Sequence, residues 1–206
     1  MSLTLACLIM ITGFVVAQTP PSLDSVLDRI DRPRGTPSPD GRPSSGRERR
    51  TGNRDARTTT NGALPDGATV SDTRYPGVAN LDPALLKALQ KAVRDADDGT
   101  TLVINSGWRS ADYQDQLLRE AVATYGSATE AARWVATADT SPHVSGDAVD
   151  IGPPDVASWL ATHGAARGLC RIYRNEPWHF ELRASAKKQG CPAPYADPTQ
   201  DPRMRG

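Results

Sequence analysis

Apolar residues recur at helical spacing in several segments between residues 82 and 164. Each segment opens on residues typical of helix starts: Asp82 followed by proline, Ser110, Ser127 with glutamate three positions later, and Pro154. Glycines at positions 126 and 164 end the second and fourth helices, and the third is predicted to run through Trp134. The apolar stripes comprise Leu85, Leu89, Val93 and Ala96 in the first helix, Tyr113, Leu117, Ala121 and Tyr125 in the second, and Val156, Trp159 and Leu160 in the last.

Shorter runs rich in β-branched and aromatic residues predict strands over residues 101–104, 147–151, 169–173 and 178–182. Helices dominate the first part of this region and strands cluster late, so a regular alternation of strand and helix is absent. This order favours an α+β fold, in which a small antiparallel sheet has helices packed around it.

The N-terminal third of the chain has a different composition. Residues 3–17 form an uncharged, mainly apolar run that is too short to span a bilayer comfortably, and Ala17 offers the small residue that signal peptidase requires. We therefore predict a signal peptide over residues 1–17, with an uncleaved membrane anchor as the alternative. Residues 18–69 are rich in Pro, Gly, Ser and Arg, which predicts a disordered linker before a domain at 70–195 and a tail at 196–206.

The balance of charged residues and the number of cysteines restrict the classes of protein to which the chain can belong. The 206 residues include 24 Lys+Arg and 24 Asp+Glu, a balance that argues against a nucleic-acid partner. Arginines are concentrated between residues 29 and 57, where they form either a solvated tether or a contact to anionic wall polymers. Cys7 would leave with the signal peptide, so Cys170 and Cys191 are predicted to form a disulfide in an oxidising compartment rather than remain separate thiols.

The chain has three histidines, and two of them lie near carboxylates. His143 precedes Asp150 by seven positions, and His179 follows Glu176 by three. A catalytic zinc site needs three protein ligands and one open position for water, which His143, Asp150 and His179 would satisfy. His163, just before a helix-ending glycine, is instead interpreted as a cation favoured at a helix C-terminus.

Strand alternation supports this set of ligands. Asp150 shares a strand face with Ala148, while its neighbours Val149 and Ile151 face the other way. On the last strand His179 shares a face with Glu181, and the residues at 178, 180 and 182 turn to the core. Glu176 is the candidate general base for a water molecule. The alternatives are a structural His–Asp hydrogen bond and a surface charge at Glu176.

A wider set of motifs resembles one enzyme group. Ser-x-His-x6-Asp at 141–150, Glu-x-x-His at 176–179, and Ser-Gly-Trp-Arg-Ser at 106–110 with Gln114 are similar to the VanY/VanX group of zinc D-alanyl-D-alanine peptidases. The resemblance covers residues 81–183. It implies that His143, Asp150 and His179 are the zinc ligands, that Glu176 is the catalytic base, and that the fold is the small α+β type of wall-cleaving zinc peptidases.

The resemblance also suggests substrate contacts. Arg109 has a guanidinium group suited to clamp a terminal carboxylate or to polarise the scissile carbonyl, which makes it a catalytic and substrate-binding candidate. The alternative for Arg109 is an ion pair with Asp112 at a helix start. Gln114 and Ser141 occupy motif positions as substrate hydrogen-bond partners.

These observations predict a secreted, wall-associated and monomeric zinc D,D-carboxypeptidase that hydrolyses the terminal D-Ala-D-Ala bond of peptidoglycan stem peptides. A peptidoglycan endopeptidase or a D-Ala-D-Ala dipeptidase would use the same zinc site. A zinc-containing wall-binding module without catalysis is an alternative of a different class, although an intact base position at Glu176 argues against it. A third class is a tethering protein that acts through its arginine-rich arm.

Overall fold

The structure, a computed structural model, describes residues 60–96 and 101–205. The predicted signal peptide at 1–17 and the predicted linker up to residue 59 lie outside this part of the chain. Among the described residues, we find no helix with the length and apolar character needed to cross a membrane.

Four strands form one antiparallel sheet in the order β1-β2-β4-β3. They are β1 (Val103–Ser106), β2 (Ala148–Gly152), β3 (Leu169–Arg171) and β4 (His179–Leu182). Each lies within two residues of a predicted strand, so the α+β fold with a small antiparallel sheet is confirmed. The helices that surround it are α1 (Pro76–Ala79), α2 (Pro83–Asp95), α3 (Ala111–Tyr125), α4 (Ala128–Ala131), α5 (Pro142–Ser145), α6 (Pro154–His163) and α7 (Ala186–Gln189).

The main helices begin where their capping residues predict. The Asp82 carboxylate accepts hydrogen bonds from the amides of Ala84 and Leu85 at 2.9 Å, and Ser110 accepts one from the Tyr113 amide at 3.2 Å. The prediction that the third helix runs through Trp134 is wrong, because α4 ends at Ala131. The amides of Arg133 and Trp134 bond to carbonyls three residues back, which tightens the chain into turns.

One face of the sheet packs against α2 and α6. Val149, Ile151 and Phe180 are fully buried there and belong to the same apolar cluster as Leu85 and Leu160. Leu85 and Leu89 of the predicted α2 stripe are buried, and Val93 is partly buried against the same cluster. Ala96 lies just beyond the end of the helix, and Ala88 and Ala92 complete the buried side instead. The opposite face of β2 and β4 is therefore left to carry polar side chains.

The packed region begins before the predicted boundary at residue 70. Ala68 is buried, and Leu64 contacts the apolar cluster. The amide of Ile104 donates to the carbonyl of Ala68 at 2.7 Å, and that of Ser110 donates to the carbonyl of Asn61 at 2.8 Å. These backbone bonds attach residues 60–69 to the domain, although their composition alone predicts linker.

The C-terminal segment also packs against the domain. Cys170 in β3 and Cys191 form the predicted disulfide. Beyond it, the Tyr195 amide donates to the Ile172 carbonyl and the Arg174 amide donates to the Tyr195 carbonyl, both at 2.9 Å. Two short 3-10 helices follow, Pro198–Gln200 and Pro202–Met204. The tail, whose packing the sequence left open, thus lies parallel to the residues that follow β3, with Tyr195 paired to Tyr173.

The disulfide is expected to stabilise the domain through chain entropy. Replacing both Cys170 and Cys191 with alanine should lower the free energy of unfolding by about 3 kcal/mol, because the open chain gains freedom in the unfolded state. Urea denaturation monitored by circular dichroism measures the change. Reduction of the unaltered chain should give a similar loss, and an unchanged unfolding midpoint in both cases would contradict the prediction.

Candidate active site

The pairing of β2 with β4 brings two of the predicted ligands together. Asp150 lies directly opposite His179 in this antiparallel pair. The neighbouring pair, Val149 opposite Phe180, is buried in the apolar cluster on the other face. Because side chains alternate between the faces of a sheet, Asp150 and His179 both point away from the core. Their proximity is thus a consequence of strand register.

The third predicted ligand, His143, reaches the same point from α5. This one-turn helix was not predicted, because a single turn is too short to show a helical period. It ends at Gly146, whose φ of +82° lies in the left-handed region. A side chain at this position would also collide with the backbone oxygen of Asn80. Both the left-handed backbone conformation and this close contact therefore require glycine.

Three donor atoms of these residues form a nearly equilateral triangle. His143 Nε2 is 3.3 Å from His179 Nδ1 and 3.4 Å from Asp150 Oδ1, and the latter two atoms are 3.3 Å apart. Ligand atoms at about 2.0 to 2.1 Å from a tetrahedral zinc ion are separated by about 3.3 Å. Among the described residues, His143, Asp150 and His179 are the group with geometry suited to holding a metal ion.

Hydrogen bonds on the far side of each ring orient both imidazoles. His143 Nδ1 lies 2.8 Å from the Gly107 carbonyl oxygen, and His179 Nε2 lies 3.2 Å from the carboxylate of Glu181. A carbonyl or an ionised carboxylate can only accept, so these outer nitrogens carry protons. The inner nitrogens, His143 Nε2 and His179 Nδ1, are then free to offer lone pairs to one shared ion.

Glycine at position 107 allows its own carbonyl group to lie within hydrogen-bonding distance of the His143 ring. A side chain there would collide with the backbone oxygen of Gly77 in α1. The next amide, that of Trp108, donates to this same Gly77 oxygen at 2.8 Å. The chain after β1 therefore passes close to α1, and the Gly107 carbonyl is fixed against the His143 ring.

The charge pattern of the site suits a cation. Burial and the Arg109 charge lower the pKa of His143. Burial opposes ionisation of Asp150, but His143, His179 and Arg109 outweigh it and hold its pKa well below the usual range. Burial would also lower the pKa of His179, but hydrogen bonds to Asp150 and Glu181 raise it to about 10. The ionised Asp150 carboxylate therefore favours a positive charge beside it, and a metal ion bound here would take the place of a proton on His179.

The candidate base, Glu176, lies beside this cluster and is buried. Its Oε2 is 3.7 Å from His179 Nδ1, whereas its Oε1 has no hydrogen-bond partner among the described residues. Burial raises the pKa of Glu176 to about 8, against the opposing effect of His179. A buried carboxyl group with a free oxygen at the edge of a candidate metal site is placed to exchange protons with a water molecule.

Arg109 contacts Asp150 rather than Asp112. Its Nη2 is 2.8 Å from Asp150 Oδ2, its Nε donates to Ser106 Oγ at 2.8 Å, and its Nη1 donates to Gln114 Oε1 at 3.2 Å. Asp150 thereby uses one oxygen in the histidine cluster and the other for Arg109. Since a guanidinium has five N–H groups, two remain after these three bonds.

Gln114 and Ser141 differ in how freely they could meet a ligand. Gln114 is almost fully buried, and its amide nitrogen donates to the Ala136 carbonyl at 2.9 Å while its oxygen accepts from Arg109. Both ends of this amide are thus used within the protein, which suits a residue that orients Arg109. Ser141 is buried at the start of α5, and its side chain does not cap that helix.

Two charged residues behind His179 were not among the predicted site residues. Glu181 is fully buried, and Arg203 from the C-terminal tail donates to both of its oxygens. The alternation of side chains along β4 predicts that Glu181 shares a face with His179. This alternation is the sequence signal that could have identified Glu181 as a site residue. Nothing in the sequence near Arg203 points to the site. His163 ends α6 as predicted, stacked on Trp159 at a ring distance of 4.9 Å.

Comparisons with known proteins match the same region. Residues 79–169 match the VanY family model, described as D-alanyl-D-alanine carboxypeptidase. This range includes His143 and Asp150 and ends before Glu176 and His179. The resemblance inferred from the motifs is therefore confirmed.

One curated relative and two solved structures add detail. A D-alanyl-D-alanine carboxypeptidase of Enterococcus faecalis is 32% identical over 40% of this chain, and the chain spans 40% of that relative's length. VanYB in complex with D-Ala-D-Ala is 28% identical over 54% of this chain and 78% of its own, with a TM-score of 0.48. A vancomycin resistance D,D-pentapeptidase VanY in complex with Zn(II) is 27% identical over 54% of this chain and 80% of its own, with a TM-score of 0.47.

Proposed function

We propose that this chain, which carries the VanY family segment at residues 79–169, is a zinc-dependent D,D-carboxypeptidase. Its substrate would be the terminal D-Ala-D-Ala bond of a peptidoglycan stem peptide. The observation that carries the proposal is the convergence of His143 Nε2, His179 Nδ1 and Asp150 Oδ1 within 3.3–3.4 Å of one another. We further propose that the protein is secreted and acts at the cell wall, since its substrate lies there.

Two imidazoles and one carboxylate are the donor set of a catalytic zinc site with an open fourth position. His143, Asp150 and His179 would hold the ion. Zinc supplies Lewis-acid polarisation of a carbonyl and makes water acidic enough to attack at neutral pH. The outward hydrogen bonds to Gly107 and Glu181 fix both rings in the tautomer that this binding requires.

Glu176 would act as the general base and then as the general acid. Its Oε1, which has no hydrogen-bond partner among the described residues, would accept a proton from the attacking water as the water oxygen bonds to the carbonyl carbon of the penultimate residue. When the C–N bond breaks, the same carboxyl group delivers this proton to the leaving amine of D-alanine. Burial raises the pKa of Glu176 above that of an exposed carboxyl group, which favours its holding this proton between the two steps.

Arg109 would recognise the C-terminal carboxylate of the substrate. Its bonds to Ser106, Gln114 and Asp150 fix the plane of the guanidinium, and among the described residues they leave two of its N–H groups without a partner. A fixed fork of this kind suits a carboxylate better than a flexible ammonium group would. The hydroxyl of Ser141 is a further candidate for a substrate hydrogen bond, because it does not cap α5.

Release of free D-alanine from a pentapeptide stem tests the proposal. The full chain should release one D-alanine per stem, should lose this activity with a chelator, and should regain it when zinc is restored. A stem that ends in L-alanine is the matched control and should be cleaved far more slowly.

Other products of the same assay point to the alternatives. Cleavage within the stem or its cross-link would indicate an endopeptidase, and cleavage of free D-Ala-D-Ala alone a dipeptidase. Zinc binding at one equivalent without cleavage of any of these would indicate a wall-binding module.

A further inference from the structure

We infer that Arg203, in the C-terminal tail, is a positioning residue for the candidate metal centre, which it supports through Glu181 and His179. The inference rests on the proposed function, because it assumes that His179 binds zinc. Arg203 lies 22 positions after Glu181 in the sequence and outside the matched family segment, so neither motif nor spacing assigns it a role.

The contact between Arg203 and Glu181 is a two-pronged ion pair. Arg203 Nη1 is 2.7 Å from Glu181 Oε2, and Arg203 Nη2 is 3.1 Å from Glu181 Oε1. Glu181 is fully buried, and an isolated buried carboxylate would be costly. Two parallel hydrogen bonds neutralise this carboxylate and also fix the plane in which it lies.

The orientation of the Glu181 carboxylate determines the orientation of the His179 ring. Glu181 Oε1, one of the two atoms that Arg203 holds, is 3.2 Å from His179 Nε2. This bond turns the opposite ring nitrogen, Nδ1, toward Asp150 and His143. Carboxylates that orient a metal-binding histidine in this way commonly tune metal affinity.

Arg203 is itself held by a second carboxylate. Asp201 is fully buried and accepts hydrogen bonds from the Arg203 amide at 3.0 Å and from Arg203 Nε at 3.1 Å. Asp201 also accepts from the Tyr173 hydroxyl at 3.0 Å, and the Tyr173 ring lies 5.1 Å from that of His179. The tail therefore contacts two neighbours of His179: Arg203 bonds to Glu181, and Asp201 accepts a hydrogen bond from Tyr173.

Arg183 limits the effect expected from the loss of Arg203. Arg183 Nη2 is 2.6 Å from Glu181 Oε2, so this oxygen keeps a cationic partner without Arg203. Oε1, which accepts from His179 Nε2, has Arg203 as its arginine partner among the described residues. Glu181 should therefore stay buried in the variant but turn more freely, which weakens the site without abolishing it.

The test compares zinc affinity in the full chain and in Arg203→Met, measured by competition with a chromogenic chelator. Arg203→Met should bind zinc at least about 10-fold more weakly, in the range found when outer-shell partners of metal ligands are removed. Arg203→Lys, which keeps the charge but not the fork, should restore part of the loss. Arg205→Met removes an exposed arginine from the same tail and should bind zinc as the unaltered chain does.

A further pair of variants separates positioning from general destabilisation. In a Glu181→Gln background, Arg203→Met should cause little additional loss of zinc affinity, because the two changes break the same connection. Equal zinc affinity of Arg203→Met and the unaltered chain, an equal loss in Arg205→Met, or a full additional loss in the Glu181→Gln background would overturn the inference. Absence of zinc binding by the unaltered chain would instead overturn the proposed function and the inference with it.

Discussion

Replacement of Glu176 by glutamine is expected to reduce turnover by about 10³-fold while zinc remains bound, which is within the range for loss of a general acid–base group. Glutamine has nearly the same size and fills the same buried position, so the fold should not change. It can neither accept the proton of the attacking water nor deliver one to the leaving amine. The carboxyl oxygen that has no partner among the described residues, Oε1, is the atom whose function the substitution removes.

The measurement is the rate of D-alanine release at saturating substrate, together with the zinc content of the purified protein. Glu130→Gln is the matched control, because Glu130 lies on the exposed surface of α4 and should leave both quantities unchanged. Turnover within about 10-fold of that of the unaltered chain would remove Glu176 from the role of base, since general acid–base catalysis contributes at least about 10²-fold.

Replacement of His143 by alanine is expected to abolish zinc binding and activity together. Only Asp150 and His179 would remain, and two ligands do not satisfy a catalytic zinc site. The substitution also removes the ring that bonds to the Gly107 carbonyl, which leaves a buried acceptor without its donor. His143→Ala should therefore lose both zinc and activity, whereas Glu176→Gln should lose activity and keep its zinc.

Zinc content by elemental analysis and D-alanine release by a coupled assay measure the two losses. His163→Ala is the matched control, because His163 is exposed at the end of α6 and should leave zinc binding intact. A His143→Ala protein that folds and still holds one zinc ion per chain would exclude His143 as a ligand.

Local chemistry accounts for the parts of the fold that could be predicted. Asp82 and Ser110 start their helices because each satisfies free amides of the first turn, which depends only on nearby residues. The alternation of buried and polar positions placed His179 and Glu181 on one face of β4 for the same reason. The candidate ligands could be proposed from sequence because few histidines compete for the role.

The remaining features depend on contacts between distant parts of the chain. The sequence suggests a substrate carboxylate or Asp112 as the partner of Arg109, whereas its partner Asp150 lies 41 positions away, which no local pattern indicates. The single turn of α5 is set by Pro142, by Gly146 and by packing rather than by periodicity. Arg203 lies in a tail whose composition resembles a linker, and only the folded structure shows that it reaches Glu181.

The pairing of Asp150 with His179 has a consequence for misfolding. A shift of one residue between β2 and β4 would turn every side chain of the shifted strand to the other face. Asp150 would then enter the layer that holds Val149 and Phe180, where an unpaired carboxylate is strongly unfavourable. The carboxylate that serves the candidate site thus also disfavours the mispaired sheet, so the same side chain bears on both the candidate metal site and the strand register.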